Sequence, residues 1–175
     1  MTSKLSAALQ SVEMTYAEVV EVANDIANKH FKAINEQVTM ISSQINALTI
    51  DQIRNYILEL QLQAFSISEV KEKSALKAEL AQALQKEQFA IKFNGADGTG
   101  TIKEKIALVE TSSEVVAEAL YNLIANLFKT KLDQVHRLVD ALKSILMSRM
   151  QESKYINMTT TNDIPATFGN KYKGE

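Results

Sequence analysis

Helical spacing organises most of the chain. From Tyr121 onward, Ile124, Phe128, Leu132, Val135, Val139, Leu142, Leu146 and Met150 recur in steps of three and four, the period that lines side chains along one face of an α-helix. Leu120, Leu123, Leu127, Leu138 and Ile145 make a second row beside it. Two adjacent rows are wider than a two-stranded coiled-coil seam, so this face calls for several helical neighbours, from its own chain or from other subunits. The pattern predicts one helix from about Ile102 to Tyr155, roughly 80 Å long at 1.5 Å per residue. Thr111-Ser112-Ser113-Glu114 can interrupt it, because Thr-x-x-Glu is also a helix-opening signature.

The first half carries comparable signals. Thr49-Ile50-Asp51-Gln52 is a capping box followed by Ile53, Ile57, Leu60 and Ala64 at helical spacing. Ser66-Ile67-Ser68-Glu69 offers another start, ahead of a charged, Ala-rich run through Phe93. Residues 3–47 read as a further helix with Val12, Val19, Val22, Ile26, Ile34, Val38, Ile41 and Ile45 as its stripe. Val19-Val20-Glu21-Val22 competes as a strand, but such runs are too few to build a sheet. The expectation is an all-α fold of long helices in an elongated hairpin or bundle, forming a single helical domain over 1–155. It comprises an acidic helix, 3–47, and a helical core, 50–155. Oligomerisation is expected through the wide apolar face, with Ile124, Phe128, Leu132, Val135, Val139, Leu142 and Leu146 at the interface.

Punctuation supports this division. None of the first 94 residues is Gly or Pro, whereas Gly95, Gly98 and Gly100 fall within six residues of one another. These residue types are the strongest local breakers, so 94–101 reads as a loop, with Thr101 and Glu104 as a further capping box. After Tyr155 the chain turns polar and includes Pro165, which predicts a flexible tail over 156–175. Phe168 and Tyr172, beside Lys171 and Lys173, suit either docking on a partner or an untethered terminus. The amino terminus lacks the apolar run of a signal peptide, and no stretch approaches the 18 apolar residues of a membrane span.

Composition then removes whole classes of chemistry. The 175 residues include no Cys and no Trp. That excludes disulfide scaffolds, thiolate zinc sites, iron–sulfur clusters and a Cys nucleophile. A hydrophobic share of 46% is enough for a packed core. The formal net charge of −2 suggests no polyanion partner at first sight. Its distribution says more. Residues 1–70 hold four basic and eight acidic side chains, net −4. Residues 129–154 hold six basic (Lys129, Lys131, Arg137, Lys143, Arg149, Lys154) against three acidic ones (Asp133, Asp140, Glu152), net +3. Arg137, Lys143 and Arg149 recur every six residues and so spiral around their helix. On one helix this suits a solvated face; in a ring of subunits it adds up to a positive track.

Two local constellations invite chemistry and fall short of it. A Gly-rich loop opening a helix can present N–H groups to phosphate, with Lys103 and Lys105 adding charge. Yet it lacks the Gly-Lys-Ser/Thr of a Walker loop, a preceding strand, and the carboxylates of an EF-hand. It suits an interhelical turn or a nucleic-acid backbone contact. Asp133, His136 and Asp140 share one helical face. A di-iron carboxylate site needs Glu-x-x-His on two helices, so this trio reads as a solvated surface. No catalytic site, metal or cofactor is expected.

The order of a charged Ala/Leu-rich helix, a Gly-rich loop and a long helix with Glu104-Lys105 early and Asp140-Ala141-Leu142-Lys143-Ser144-Ile145 late resembles the recombination mediator proteins of T-even-like bacteriophages, the UvsY type. It also resembles small phage proteins that share this carboxy-terminal pattern. Phe128 lies where that family places an aromatic. The resemblance covers about residues 70–154; the acidic amino-terminal helix and the near-neutral charge depart from it. It implies a ring-like homo-oligomer of about six or seven subunits in the host cytoplasm during phage infection. Such a protein binds single-stranded DNA without sequence preference and helps load a recombinase onto DNA covered by single-strand-binding protein. Lys105 and Lys143 carry over as DNA contacts, with Lys103, Lys131, Arg137 and Arg149 added on charge. A helical scaffold or adaptor of a phage, or a small helical inhibitor of a host enzyme, remains as an alternative.

Overall fold

A computed structural model of the chain describes the backbone of residues 2–162 and the side chains of residues 15–156. The regular structure there is helical throughout: α1 (Thr2–Gln44), α2 (Ile50–Gly95), α3 (Gly100–Glu110) and α4 (Ser112–Asn162). The protein is all-α, as the periodicity predicts.

Local chemistry sets each boundary. The Thr49 hydroxyl accepts the Gln52 N–H at 3.2 Å while the Gln52 side chain accepts the Thr49 N–H at 2.8 Å. That is the capping box read from the sequence, and it starts α2. Ser66 opens no second helix: its hydroxyl bonds the Leu62 carbonyl at 3.4 Å instead of capping a new start, and α2 runs on unbroken to Gly95. Only residues 96–99 separate α2 from α3. Gly98 has φ +115°, and a Cβ there would sit 3.1 Å from Ile102 Cγ2, so the turn needs a residue without one. The Thr101–Glu104 capping box does not form. Instead, α3 starts two residues earlier, with Thr99 as its cap and no side-chain bond to it.

The helix predicted from Ile102 to Tyr155 is broken at Thr111. This residue is fully buried, and its hydroxyl donates to the Ala107 carbonyl at 2.9 Å. Its backbone, at φ −107° and ψ 14°, leaves helical geometry there. α4 then continues past Tyr155 to Asn162, which corrects the tail boundary: no Gly or Pro interrupts 156–162, and the next breaker is Pro165. Residues 163–175, with the expected flexible tail and its Phe168 and Tyr172, lie outside the described residues.

Cross-helix contacts fix the topology. Arg54 lies beside Met150, Gln82 bonds Glu118, and Lys92 pairs with Glu110, so α2 runs antiparallel to α3 and α4. Gln37 bonds Glu59, and Tyr56 reaches Met40, so α1 also runs antiparallel to α2. α1 and α4 are therefore parallel, lying together against α2 as an up–down–up bundle. At its centre the Phe128 ring centre lies 4.8 Å from that of Phe31 and 5.4 Å from that of His30, the latter pair T-shaped. Ile34, Ile41, Ile53, Leu60, Ile67, Val135 and Leu142 close around them.

The proposed oligomer residues sit in this core. Ile124, Phe128, Val135, Val139 and Leu142 are buried within the chain, and Leu132 and Leu146 pack against them. The wide α4 face finds its several neighbours in α1 and α2 of its own chain. An interface with another subunit has to use a different surface.

Candidate nucleic-acid interface

The six cations nominated as DNA contacts divide into two groups. Arg149, half-buried on α4, turns inward to the end of α1. Its guanidinium donates to the carbonyls of Ile45 at 2.8 Å and Asn46 at 3.1 Å, and to that of Leu48. These carbonyls belong to the turn that follows α1, at the negative end of its dipole. α1 has no basic residue in its own last turn, so Arg149 supplies the cation from across the bundle. Lys131 is also committed to the fold: its ammonium bonds the Asn35 side chain and lies 5.6 Å from the centre of the Phe31 ring. Desolvation there pushes its pKa below the ordinary lysine value. Both cations already have partners within the fold.

The other four stay on the surface. Arg137 and Lys105 are exposed and make no ion pair among the described residues. Lys103 is half-buried in the first turn of α3, next to the uncapped end of that helix. Lys143 pairs with Asp140 at 3.2 Å, both side chains being more than half exposed, an arrangement that contributes little to stability and yields readily to a competing anion. These cations follow the α3–α4 line without converging on one cleft. That suits a long, flexible polyanion better than a compact nucleotide.

Asp133, His136 and Asp140 share the exposed side of α4, and Asp140 is already taken by Lys143. No group of three or more metal-ligating side chains forms among the described residues. The trio is a solvated face, as the sequence suggests.

One surface escaped the sequence reading. α2 buries Ile53, Leu60, Ala64, Ile67, Ser74, Ala78 and Ala81 yet leaves Leu58, Leu62, Phe65, Leu76, Leu80 and Leu84 open to solvent. At 3.6 residues per turn the two rows lie roughly 160° apart. The second row was legible in the 3- and 4-residue steps of 58-62-65 and 76-80-84, but two opposite apolar faces on one helix obscure each other in any search for a single stripe. No helix among the described residues is long and apolar enough to cross a membrane. No known protein family, curated protein or solved structure matches this chain.

Proposed function

We propose that the chain is a non-enzymatic, mediator-like protein that binds single-stranded DNA without sequence preference and helps load a recombinase onto it. The observation that carries this reading is the set of surface cations the fold does not use: Lys105 and Arg137, with Lys103 and Lys143 beside them. Each contact with a phosphate releases a counterion, so binding accumulates over many weak contacts and falls steeply with salt. Base stacking contributes little, because the cationic surface presents no aromatic row among the described residues. The work of such a protein is thermodynamic: it holds the strand, weakens a covering protein and favours the recombinase filament, with no bond made or broken.

The test is the affinity for a fluorescent oligonucleotide at rising salt. Four phosphate contacts give a log–log slope of about −3. Replacing Lys105 and Arg137 together by Glu is expected to weaken binding at least tenfold with helix content unchanged. Absence of binding at low salt, or a flat salt response, overturns the reading. The outward apolar row of α2 favours a second reading, a helical scaffold or adaptor acting through protein contacts alone; that reading predicts no affinity for the oligonucleotide at any salt.

A further inference from the structure

Large side chains at solvent occur singly on most proteins and need no explanation, whereas an apolar row on a helix already packed on its other side marks a contact surface. On α2, Phe65 is 73% exposed, Leu76 64%, Leu62 63%, Leu80 59%, Leu58 58% and Leu84 42%. From Leu58 to Leu84 the row runs about 40 Å at 1.5 Å per residue. It is divided in the middle by Glu69, Glu72 and Lys73.

The order of these residues is nearly a palindrome. Leu58 and Leu84 lie thirteen positions either side of Lys71, Leu62 and Leu80 nine, and Glu69 and Lys73 two, while Phe65 and Leu76 lie six and five. A row of this kind is self-complementary under a two-fold rotation, the operation that relates the halves of an isologous dimer. We propose that two copies of this chain pair through α2 in antiparallel orientation, with the two-fold axis at the level of Lys71. Leu58 then meets Leu84 of the second copy, Leu62 meets Leu80, and Phe65 meets Leu76. At the axis Glu69 of each copy faces Lys73 of the other.

Charge supports the register. Within one chain Lys73 donates to Glu69 at 2.6 Å, both side chains being exposed, and this bond, with the ammonium charge, holds the Glu69 carboxyl below the usual carboxylate range. Antiparallel pairing brings two such pairs together as an alternating square, each carboxylate between two ammonium groups. Glu72 is drawn aside by Lys71 at 2.8 Å. A parallel pairing in register would instead set Glu69 against Glu69 and Lys73 against Lys73, which costs like-charge repulsion at the centre. This pairing uses none of Lys103, Lys105 or Arg137, so it stands or falls apart from DNA binding.

The test begins with the mass of the full chain in solution. At about 10 μM, within the usual range for an interface of ordinary size, light scattering is expected to give twice 19.5 kDa. The double substitution Leu62→Glu and Leu80→Glu, both at exposed positions, is expected to halve that mass with helix content unchanged. E69K and K73E chains, each weakened alone, are expected to dimerise when mixed. Because the chain has no cysteine, mixing F65C with L76C chains under oxidation reports the direction: a cross-link in the mixture and none in F65C alone. A monomeric native chain overturns the proposal, as do a dimer that survives L62E/L80E and a cross-link formed by F65C with itself.

Discussion

Removal of the Arg149 side chain tests whether this cation serves the fold or a polyanion. Arg149→Ala takes three charge-assisted bonds from the carbonyls of Ile45, Asn46 and Leu48. Hydrogen bonds to a charged group contribute about 1.5–3 kcal/mol each when well buried. Here the side chain is half-buried, the carbonyls regain water once it leaves, and the three bonds share one guanidinium. The net loss is therefore about 2 kcal/mol in total. For a chain of this size that lowers Tm by about 4–8 °C, measured by circular dichroism. Arg149→Lys is expected to recover only part of it, since a point charge cannot span three carbonyls as a planar fork does. Oligonucleotide affinity at a temperature where both proteins are folded is expected to stay within about twofold of the native value, less than one phosphate contact is worth. A Tm change below about 1 °C combined with a loss of DNA affinity matching that of R137E would refute this account of Arg149.

Gly98→Ala is expected to lower Tm, with a cost of about 1–2 kcal/mol from the positive φ and the approach to Ile102, whereas Gly95→Ala and Gly100→Ala, where a Cβ meets nothing within 4 Å, should be neutral or mildly stabilising; equal losses at all three positions would contradict the turn geometry. Thr49→Ala removes half of the capping box and is expected to cost about 1 kcal/mol, read as a lower urea midpoint; an unchanged midpoint argues against the cap. Lys131 titrates below its ordinary 10.5 in the folded chain, so the native chain should gain stability relative to Lys131→Met as pH climbs towards 10.5, the gain being lost again as pH falls through the lowered value. Urea midpoints of both chains across that window check it, and a difference that does not change with pH would count against the desolvation of Lys131.

The fold was legible because its determinants are local. Thr49–Gln52 specifies a cap, Gly98 a turn, and the rows of α4 an apolar face, each within a few residues. Tertiary allocation was not. The width of the α4 face requires several neighbours but does not say whose, and in the structure α1 and α2 of the same chain meet the requirement. Arg149 and Lys143 look alike as basic residues of one helix; only the arrival of the α1 carboxy terminus at Arg149 tells them apart. The outward row of α2 went unread because its apolar residues sit opposite another apolar row, and Glu69, Glu72 and Lys73 break its run.

The tip of the hairpin is held more lightly than its middle. Ala107 is the only buried residue of α3, and the half-exposed Lys92–Glu110 pair at 3.1 Å adds little at a solvated surface. Amide exchange should therefore be fastest over 90–110 and slowest around Phe128 and Ile41, because local opening follows buried apolar contact. Lys103 and Lys105 ride on that loosely held segment. An anion that engages them must immobilise it, and each phosphate contact made there is worth less than one made by Arg137 on the rigid length of α4. On the proposed DNA-binding reading, the tip would be a compliant fingertip, following a strand whose phosphates keep no fixed spacing.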